Sequence, residues 1–322
     1  MSFWSSFPQI RAGLEGIKAR LVSQAQSLPP DLREELLPYL RREGKYLRAG
    51  LILLASGSKG GSYPEAVIGA AAAVEILHLA TLIHDDIVDQ AALRRGEPAL
   101  HRQLGSQKAV LYGDFLFAAA FHAVSRDVGP DSARALAGLV TAMAGSEIQQ
   151  LNDRFRLPVS PRRILRKTVG KTALLFSLSL YVGAREGGRP EAVSNRLRRA
   201  GYALGMAFQL QDDLLDWVGN ASVLGKPILE DLHSGIYTWP VAIAWKQAAP
   251  RTKAELEDVR MGRLSPEELR DRWVALGYLA EAEDLVSRYA ARARCDLEAA
   301  LAGTSDLGPW HSFLDKLLDR RV

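Results

Sequence analysis

Apolar positions recur along this chain at three- and four-residue intervals over long stretches, and no segment alternates β-branched with polar residues for long. That spacing predicts helices rather than strands. Ala, Leu, Arg and Glu, all strong helix formers, dominate the periodic stretches. Gly and Pro fall between them, at 28–31 (LPPD), 57–63 (GSKGGSY), 129–131 (GPD), 157–161 (LPVSP), 187–190 (GGRP) and 219–227. Asp131, Ser160 and Ser265 are candidate N-caps, the last two followed directly by Pro. The chain therefore reads as all-α, with roughly ten to thirteen helices.

Two stretches, 70–83 and 200–215, carry few charges and are apolar on most faces, which places them at the centre of a bundle around a central cavity. No linker-like segment divides the chain, so residues 1–322 read as one domain. No run approaches the ~20 uninterrupted apolar residues of a membrane span.

Each of these apolar stretches ends in an acidic cluster of the same shape: Asp85, Asp86 and Asp89 in LIHDDIVD, and Asp212, Asp213 and Asp216 in FQLQDDLLD. Ionised carboxylates in apolar surroundings are costly unless a cation compensates them. On a helix, residues four apart share a face, so Asp85 projects with Asp89 and Asp212 with Asp216. One such cluster is more often a solvated face or a cap. Two copies, flanked by Leu82, Ile83, Phe208, Leu210, Trp217 and Val218, point instead to metal. Oxygen ligands without Cys or clustered His suit Mg²⁺, which takes few protein carboxylates and completes its shell with water and phosphate oxygens. The substrate then carries phosphate.

Composition narrows the partners. The 48% hydrophobic and 24% charged residues are ordinary for a globular protein, and a net charge of +4 favours anionic substrates. No basic run interleaved with aromatics supports nucleic-acid binding. The single Cys295 allows neither an internal disulfide nor a Cys metal site, and is expected to be buried filler. The opening MSFWSSFPQI lacks the form of a signal peptide, so the expectation is a cytoplasmic protein with at most peripheral membrane contact.

Further elements stand in a fixed order: Gly44-Lys45-x-x-Arg48, the first acidic motif followed by Arg94-Arg95-Gly96, Lys171-Thr172-Ala173, the second acidic motif, then Gly225-Lys226-Pro227. Over about 44–240 the chain closely resembles the trans-isoprenyl diphosphate synthases, the polyprenyl synthetase family. The last eighty or so residues match only in length and helical character. The resemblance implies condensation of isopentenyl diphosphate with an allylic diphosphate (geranyl, farnesyl or geranylgeranyl) by ionisation, condensation and elimination. It also implies about three Mg²⁺ ions per substrate-bound site and a homodimer, or one half of a heteromer.

By the same resemblance, Asp85, Asp89 and Asp212 ligate metal directly, while Asp86, Asp213 and Asp216 ligate through water or orient the others. Arg94, Lys171 and Lys226 contact the allylic diphosphate, and Thr172 and Gln209 face the allylic cation. Lys45, Arg48, His78 and Arg95 form a metal-free pocket for isopentenyl diphosphate. The released diphosphate removes the final proton, so no protein base is needed. Taken alone, Arg94-Arg95 would be a solvated helix end and His78 a structural histidine, but His78 lies seven residues before Asp85, two turns away on one face. Two departures stand out. Ile236 occupies a position where the family has a lysine supporting the allylic diphosphate, and Ala49 replaces a proline.

Product length in this family follows residues before the first aspartate. Here Ala80 and Thr81 stand where short-chain enzymes carry bulky side chains, with Leu77, Ala73, Ala72 and Ala71 deeper. This implies an open tunnel and an all-trans product of roughly thirty to fifty carbons, floored by Phe117 or Phe121, since filling apolar volume excludes the chain. Close helix packing at the alanines is the alternative. A class I terpene cyclase would need no isopentenyl diphosphate pocket. An HD-type phosphohydrolase would need further His, and none lies in residues 1–77. A non-catalytic subunit would have lost acidic motifs that are intact here.

Overall fold

The computed structural model describes residues 2–42, 44–57, 62–219, 228–304 and 306–318. They form helices almost throughout, and the only paired strands among them are two residues long. The chain divides into two compact units, Met1–Leu136 with Ser179–Asn195, and Ala137–Leu178 with Arg196–Val322.

The first unit contains α1 (Pro8–Gln24), α2 (Pro30–Arg41), α3 (Leu47–Ser56), α4 (Glu65–Val88), a hairpin of β1 (Leu93–Arg94) and β2 (Glu97–Pro98), α5 (Leu100–Leu104) and α6 (Ser106–Asp127). Its axis is α4, the apolar helix anticipated from 70–83. Fourteen of its residues are buried, among them Ala70 to Val74, Ile76, Leu77, Leu79, Ala80 and Ile83. Each large apolar side chain so buried contributes ~1.5–3 kcal/mol. By length and composition α4 also passes as a membrane span, contrary to the reading above, yet 72% of its apolar window is buried inside the protein. It packs against α1, α3 and α6. The pairing with α6 is antiparallel, since Gly69 meets Asp127 while Gly113 meets His84.

The following helices are α7 (Pro130–Asn152), α8 (Pro161–Thr168), a π-helical turn (Val169–Ala173), α9 (Leu174–Glu186), α10 (Glu191–Val218), α11 (Glu230–His233), α12 (Trp239–Arg260), α13 (Pro266–Ala275), α14 (Tyr278–Leu301) and α15 (Leu307–Leu318). The core of the second unit centres on Trp217 and Trp273, whose rings stack at 4.9 Å, and Trp273 donates to Glu255 at 2.9 Å. The chain turns from α12 into α13 through a capping box, in which Ser265 and Glu268 exchange side-chain and backbone bonds of 3.1 Å.

The Gly/Pro breaks coincide with element boundaries wherever the residues are described. Of the three N-caps, Ser265 caps with its side chain, while Ser160 stands at the N-cap position without a side-chain bond. Asp131 lies inside the first turn of α7, because the helix begins at Pro130. Cys295 is exposed on α14, not buried. Arg94 and Arg95 end no helix: they turn a hairpin, with Arg95 left-handed at φ 57° and Gly96 at 81°.

Candidate active site

The first acidic motif occupies the last turn of α4. Asp85 is half-buried, Asp86 is 1% exposed, and Asp89 is the exposed C-cap, its N–H donating to the Asp85 carbonyl at 2.8 Å. That turn has no basic residue, so three carboxylates crowd the negative end of the helix dipole. One cation arrives from the hairpin. Arg94 donates from Nε and Nη2 to Oδ1 of Asp86, the Nε bond being 2.7 Å, while Oδ2 of Asp86 is buried without a hydrogen-bond partner. Arg94, expected to contact substrate, is thus tied to Asp86 here.

Beside it the same unit builds an arginine pocket. Arg48, in the first turn of α3, donates from Nη1 to Nε2 of His78 at 3.0 Å. Burial, then Arg48, Arg95 and Arg94, push the His78 pKa well below its ordinary value. His78 therefore enters the pocket as a neutral acceptor rather than a cation, with its proton on Nδ1. Arg95 lies close over Gly44, where a Cβ would stand 2.7 Å from the guanidinium and displace it. The backbone at Lys45 is pinned by Trp4, whose indole N–H donates to the Lys45 carbonyl at 2.7 Å.

Beneath this pocket lies Glu75, 5% exposed in the middle of α4. Its carboxylate accepts the Ala49 N–H at 3.0 Å and so caps the start of α3, the helix that carries Arg48. Burial raises the Glu75 pKa, and Arg48 opposes the rise.

The second motif ends α10, again without a basic residue in the last turn. Asp212 is half-buried, and Asp213 and Asp216 are 7% and 3% exposed. Asp216 accepts the Leu229 N–H on its carbonyl at 2.8 Å and the Asp231 N–H on its carboxylate at 3.4 Å, bringing Asp231 to the motif. Burial and the nearby Asp231 push the Asp213 pKa up to about 7, against the Gln209 hydrogen bond and Lys171. Thr172 donates to Gln209 Oε1 at 2.6 Å, and Gln209 Nε2 donates to Asp213 at 2.9 Å. A chain of two bonds thus orients the Gln209 amide.

The π-helical turn sets Lys171 and Thr172 on this wall. A cavity open to solvent lies there, lined by Lys167, Lys171, Gln209, Asp213, Asp231 and Ile236 among others. Close approach of α10 is possible because position 205 is glycine; a Cβ there would meet Ala173 Cα at 2.6 Å. Lys226 lies outside the described residues.

The structure thus brings together Arg48, His78, Arg94, Arg95 and Asp86 in one unit, and Lys171, Thr172, Gln209 and Asp213 in the other. Of the chain-length residues, Ala80 is fully buried, Leu77 is 4% exposed, and Thr81 is half-buried with its hydroxyl donating to the His78 carbonyl at 2.8 Å. The Phe117 ring packs on His84 at 5.4 Å. Phe121 is 41% exposed, so it lines no interior of the single chain; Leu116, Ala120 and Val124 occupy the buried side of α6 instead.

Sequence reasoning missed Glu75, Lys167 and Asp231. A lone charge within an apolar stretch was the available signal for Glu75, whereas Lys167 stands among Arg162, Arg163 and Arg166 and carried none. Among the described residues no three His, Cys, Asp or Glu side chains gather into a metal cage of their own. Taken separately, each motif nonetheless offers a hard cation carboxylates at a helix C-terminus, the first with an orphaned buried oxygen and the second holding a proton toward neutral pH. A metal at either motif would complete its shell with ligands from outside the protein, as Mg²⁺ does with water and phosphate oxygens.

Acidic helix ends for a cation-bound anion, together with a separate arginine pocket for a second anion, define a prenyltransferase. The chain belongs to the polyprenyl synthetase family, whose pattern matches residues 30–272. It is 36% identical over 232 residues to component 2 of heptaprenyl diphosphate synthase from Geobacillus stearothermophilus, covering 72% of each chain. Heptaprenyl diphosphate synthase from Staphylococcus aureus superposes with a TM-score of 0.86 at 26% identity, over 97% of this chain and 99% of that one. A polyprenyl synthase from Caulobacter crescentus, in complex with calcium and isoprenyl diphosphate, gives 0.85 at 31% identity, over 97% and 96%.

Proposed function

We propose that this enzyme condenses isopentenyl diphosphate head-to-tail with an allylic diphosphate in a magnesium-dependent reaction, releasing an all-trans product of roughly thirty to fifty carbons from an apolar tunnel whose filled volume sets its length. The observation that carries the reading is the arginine pocket around neutral His78, which a cyclase acting on one diphosphate would not need. The Caulobacter relative, in complex with calcium and isoprenyl diphosphate, supports a divalent metal.

Asp85, Asp89 and Asp212 would hold the metal, with Asp86, Asp213 and Asp216 behind them. When bound, it supplies the positive charge that the departing diphosphate requires. Arg48, Lys45 and Arg95 bind the other diphosphate, and His78 fixes the Arg48 guanidinium by accepting its hydrogen bond. Lys171 faces the allylic diphosphate. The Gln209 amide, held by Thr172 and Asp213, presents a polar and non-nucleophilic surface to the allylic cation. The Thr172 and Gln209 oxygens are neutral and weakly nucleophilic, so the cation meets isopentenyl carbon rather than these groups.

The α6 surface exposes Val110, Leu111 and Phe121, which supports assembly with a second chain. A homodimer is the simplest form. The name of the Geobacillus relative, a component 2, favours the alternative that this chain is the catalytic half of a heteromer. Incubating pure protein with Mg²⁺, labelled isopentenyl diphosphate and geranyl, farnesyl or geranylgeranyl diphosphate tests both. Polyprenyl products support the homomeric enzyme. Absence of product from every primer refutes it and leaves the heteromer.

A further inference from the structure

Lys167 is buried on α8, 9% exposed, yet forms no ion pair among the described residues. Its one hydrogen bond is donated to the Tyr237 carbonyl at 3.3 Å. An ammonium has three donors, and leaving two of them without protein partners in a buried place is costly. Asp153, a carboxylate nearby, is already engaged by Arg156 and Arg163 at 3.4 Å each, so it does not require Lys167.

The side chain lines the cavity that also holds Lys171, Asp213 and Ile236. Ile236 offers that cavity no charge, while Lys167 approaches the adjoining Tyr237 carbonyl. A diphosphate oxygen entering beside Lys171 would find both spare Lys167 donors and return the free energy lost in burying them. Burial pulls the Lys167 pKa down, against the pull of Asp153, Asp213 and Asp231, as expected of a cation awaiting an anion.

We propose that Lys167 is a second diphosphate-binding cation on the wall of Lys171, supplying the charge that position 236 lacks. The inference rests on the elongation reading above and names the chain's own contact to the allylic diphosphate.

Calorimetric titration of inorganic diphosphate, with and without Mg²⁺, tests it on wild type, Lys167→Gln and Lys167→Gln/Ile236→Lys. Gln keeps a donor for the Tyr237 carbonyl and removes only the charge. Lys167→Gln should weaken Mg²⁺-dependent diphosphate binding by ~10-fold or more, as loss of a charge-assisted contact does. KM for farnesyl diphosphate should rise in parallel, with KM for isopentenyl diphosphate within ~2-fold and the melting temperature nearly unchanged. The double variant should recover to within ~3-fold of wild type, and it keeps the test open if the single variant does not fold. Wild-type diphosphate binding in Lys167→Gln overturns the proposal, as do equal rises in both KM values or a double variant that recovers nothing. Wild type that binds Mg²⁺ and diphosphate but elongates no primer refutes the homomeric elongation reading alone.

Discussion

Replacing Glu75 with Leu tests whether a carboxylate deep in α4 positions the isopentenyl diphosphate pocket. The substitution removes the acceptor of the Ala49 N–H, which is buried, and an unsatisfied buried donor costs ~1–3 kcal/mol. It also removes a carboxylate from the N-terminus of α3, worth ~0.5–1 kcal/mol. Leu fills nearly the same volume and has no desolvation cost, so the net loss should be ~2–3 kcal/mol. For a cooperative unit of about 150 residues this lowers the melting temperature by ~5–10 °C. The functional effect is more specific. With the start of α3 released, Arg48 loses its fixed approach to His78, and one charge-assisted contact to isopentenyl diphosphate weakens by ~1.5–3 kcal/mol, or ~10- to 100-fold in KM. KM for the allylic primer should stay within ~2-fold, and Glu75→Gln, which keeps an acceptor for Ala49, should recover most of both losses. Steady-state kinetics with each substrate varied in turn, plus thermal melts, make the measurement. A wild-type KM for isopentenyl diphosphate in Glu75→Leu, or equal increases for both substrates, would refute the positioning argument.

Asp85→Ala or Asp212→Ala should each lower kcat by at least ~10²-fold, and near-normal turnover in either would remove the metal assignment. Because the His78 pKa is depressed in the folded protein, the unfolded chain alone takes up a proton below pH ~6.5, so acid destabilises the native state through this group. Wild type should therefore lose more melting temperature than His78→Gln between pH ~7.5 and ~5.5, and parallel loss would show that His78 titrates normally. Ala80 is fully buried, so Ala80→Phe should cost ~1–3 kcal/mol by overpacking and shorten the product to geranylgeranyl diphosphate or less. Unchanged product length would place the tunnel on another face.

The helices and their breaks were legible because burial and chain reversal leave local marks: apolar spacing, Gly and Pro. The acidic motifs were legible for the opposite reason, being charges where the pattern calls for apolar residues. Pairing was not. Nothing local announces that Arg94 turns back onto Asp86, since that depends on a hairpin whose sole trace is the Gly after two arginines. The state of His78 was equally hidden, because it follows first from burial and then from three guanidinium groups brought in from α3 and the hairpin. Glu75 read as a stray charge until the Ala49 amide gave it a neighbour, and Lys167 as one of a run of surface cations until its burial beside Lys171 set it apart. Which of Phe117 and Phe121 faces α4 was not legible either, because residues four apart share a helix face and sequence alone does not say which face is covered; in the single chain Phe121 is exposed.

The π-helical turn at Val169–Ala173 joins α8 to α9 with no interruption of the helical path. An α-helix advances ~100° per residue, so the extra residue of a π turn acts as a phase shifter between the two segments. It lets α9 keep its own packing phase while Lys171 and Thr172 are dialled toward Gln209. Substitutions within the turn alter chemistry one side chain at a time. Loss of a single residue would instead rewind the turn, so here the number of residues is as much a part of the active site as their identity.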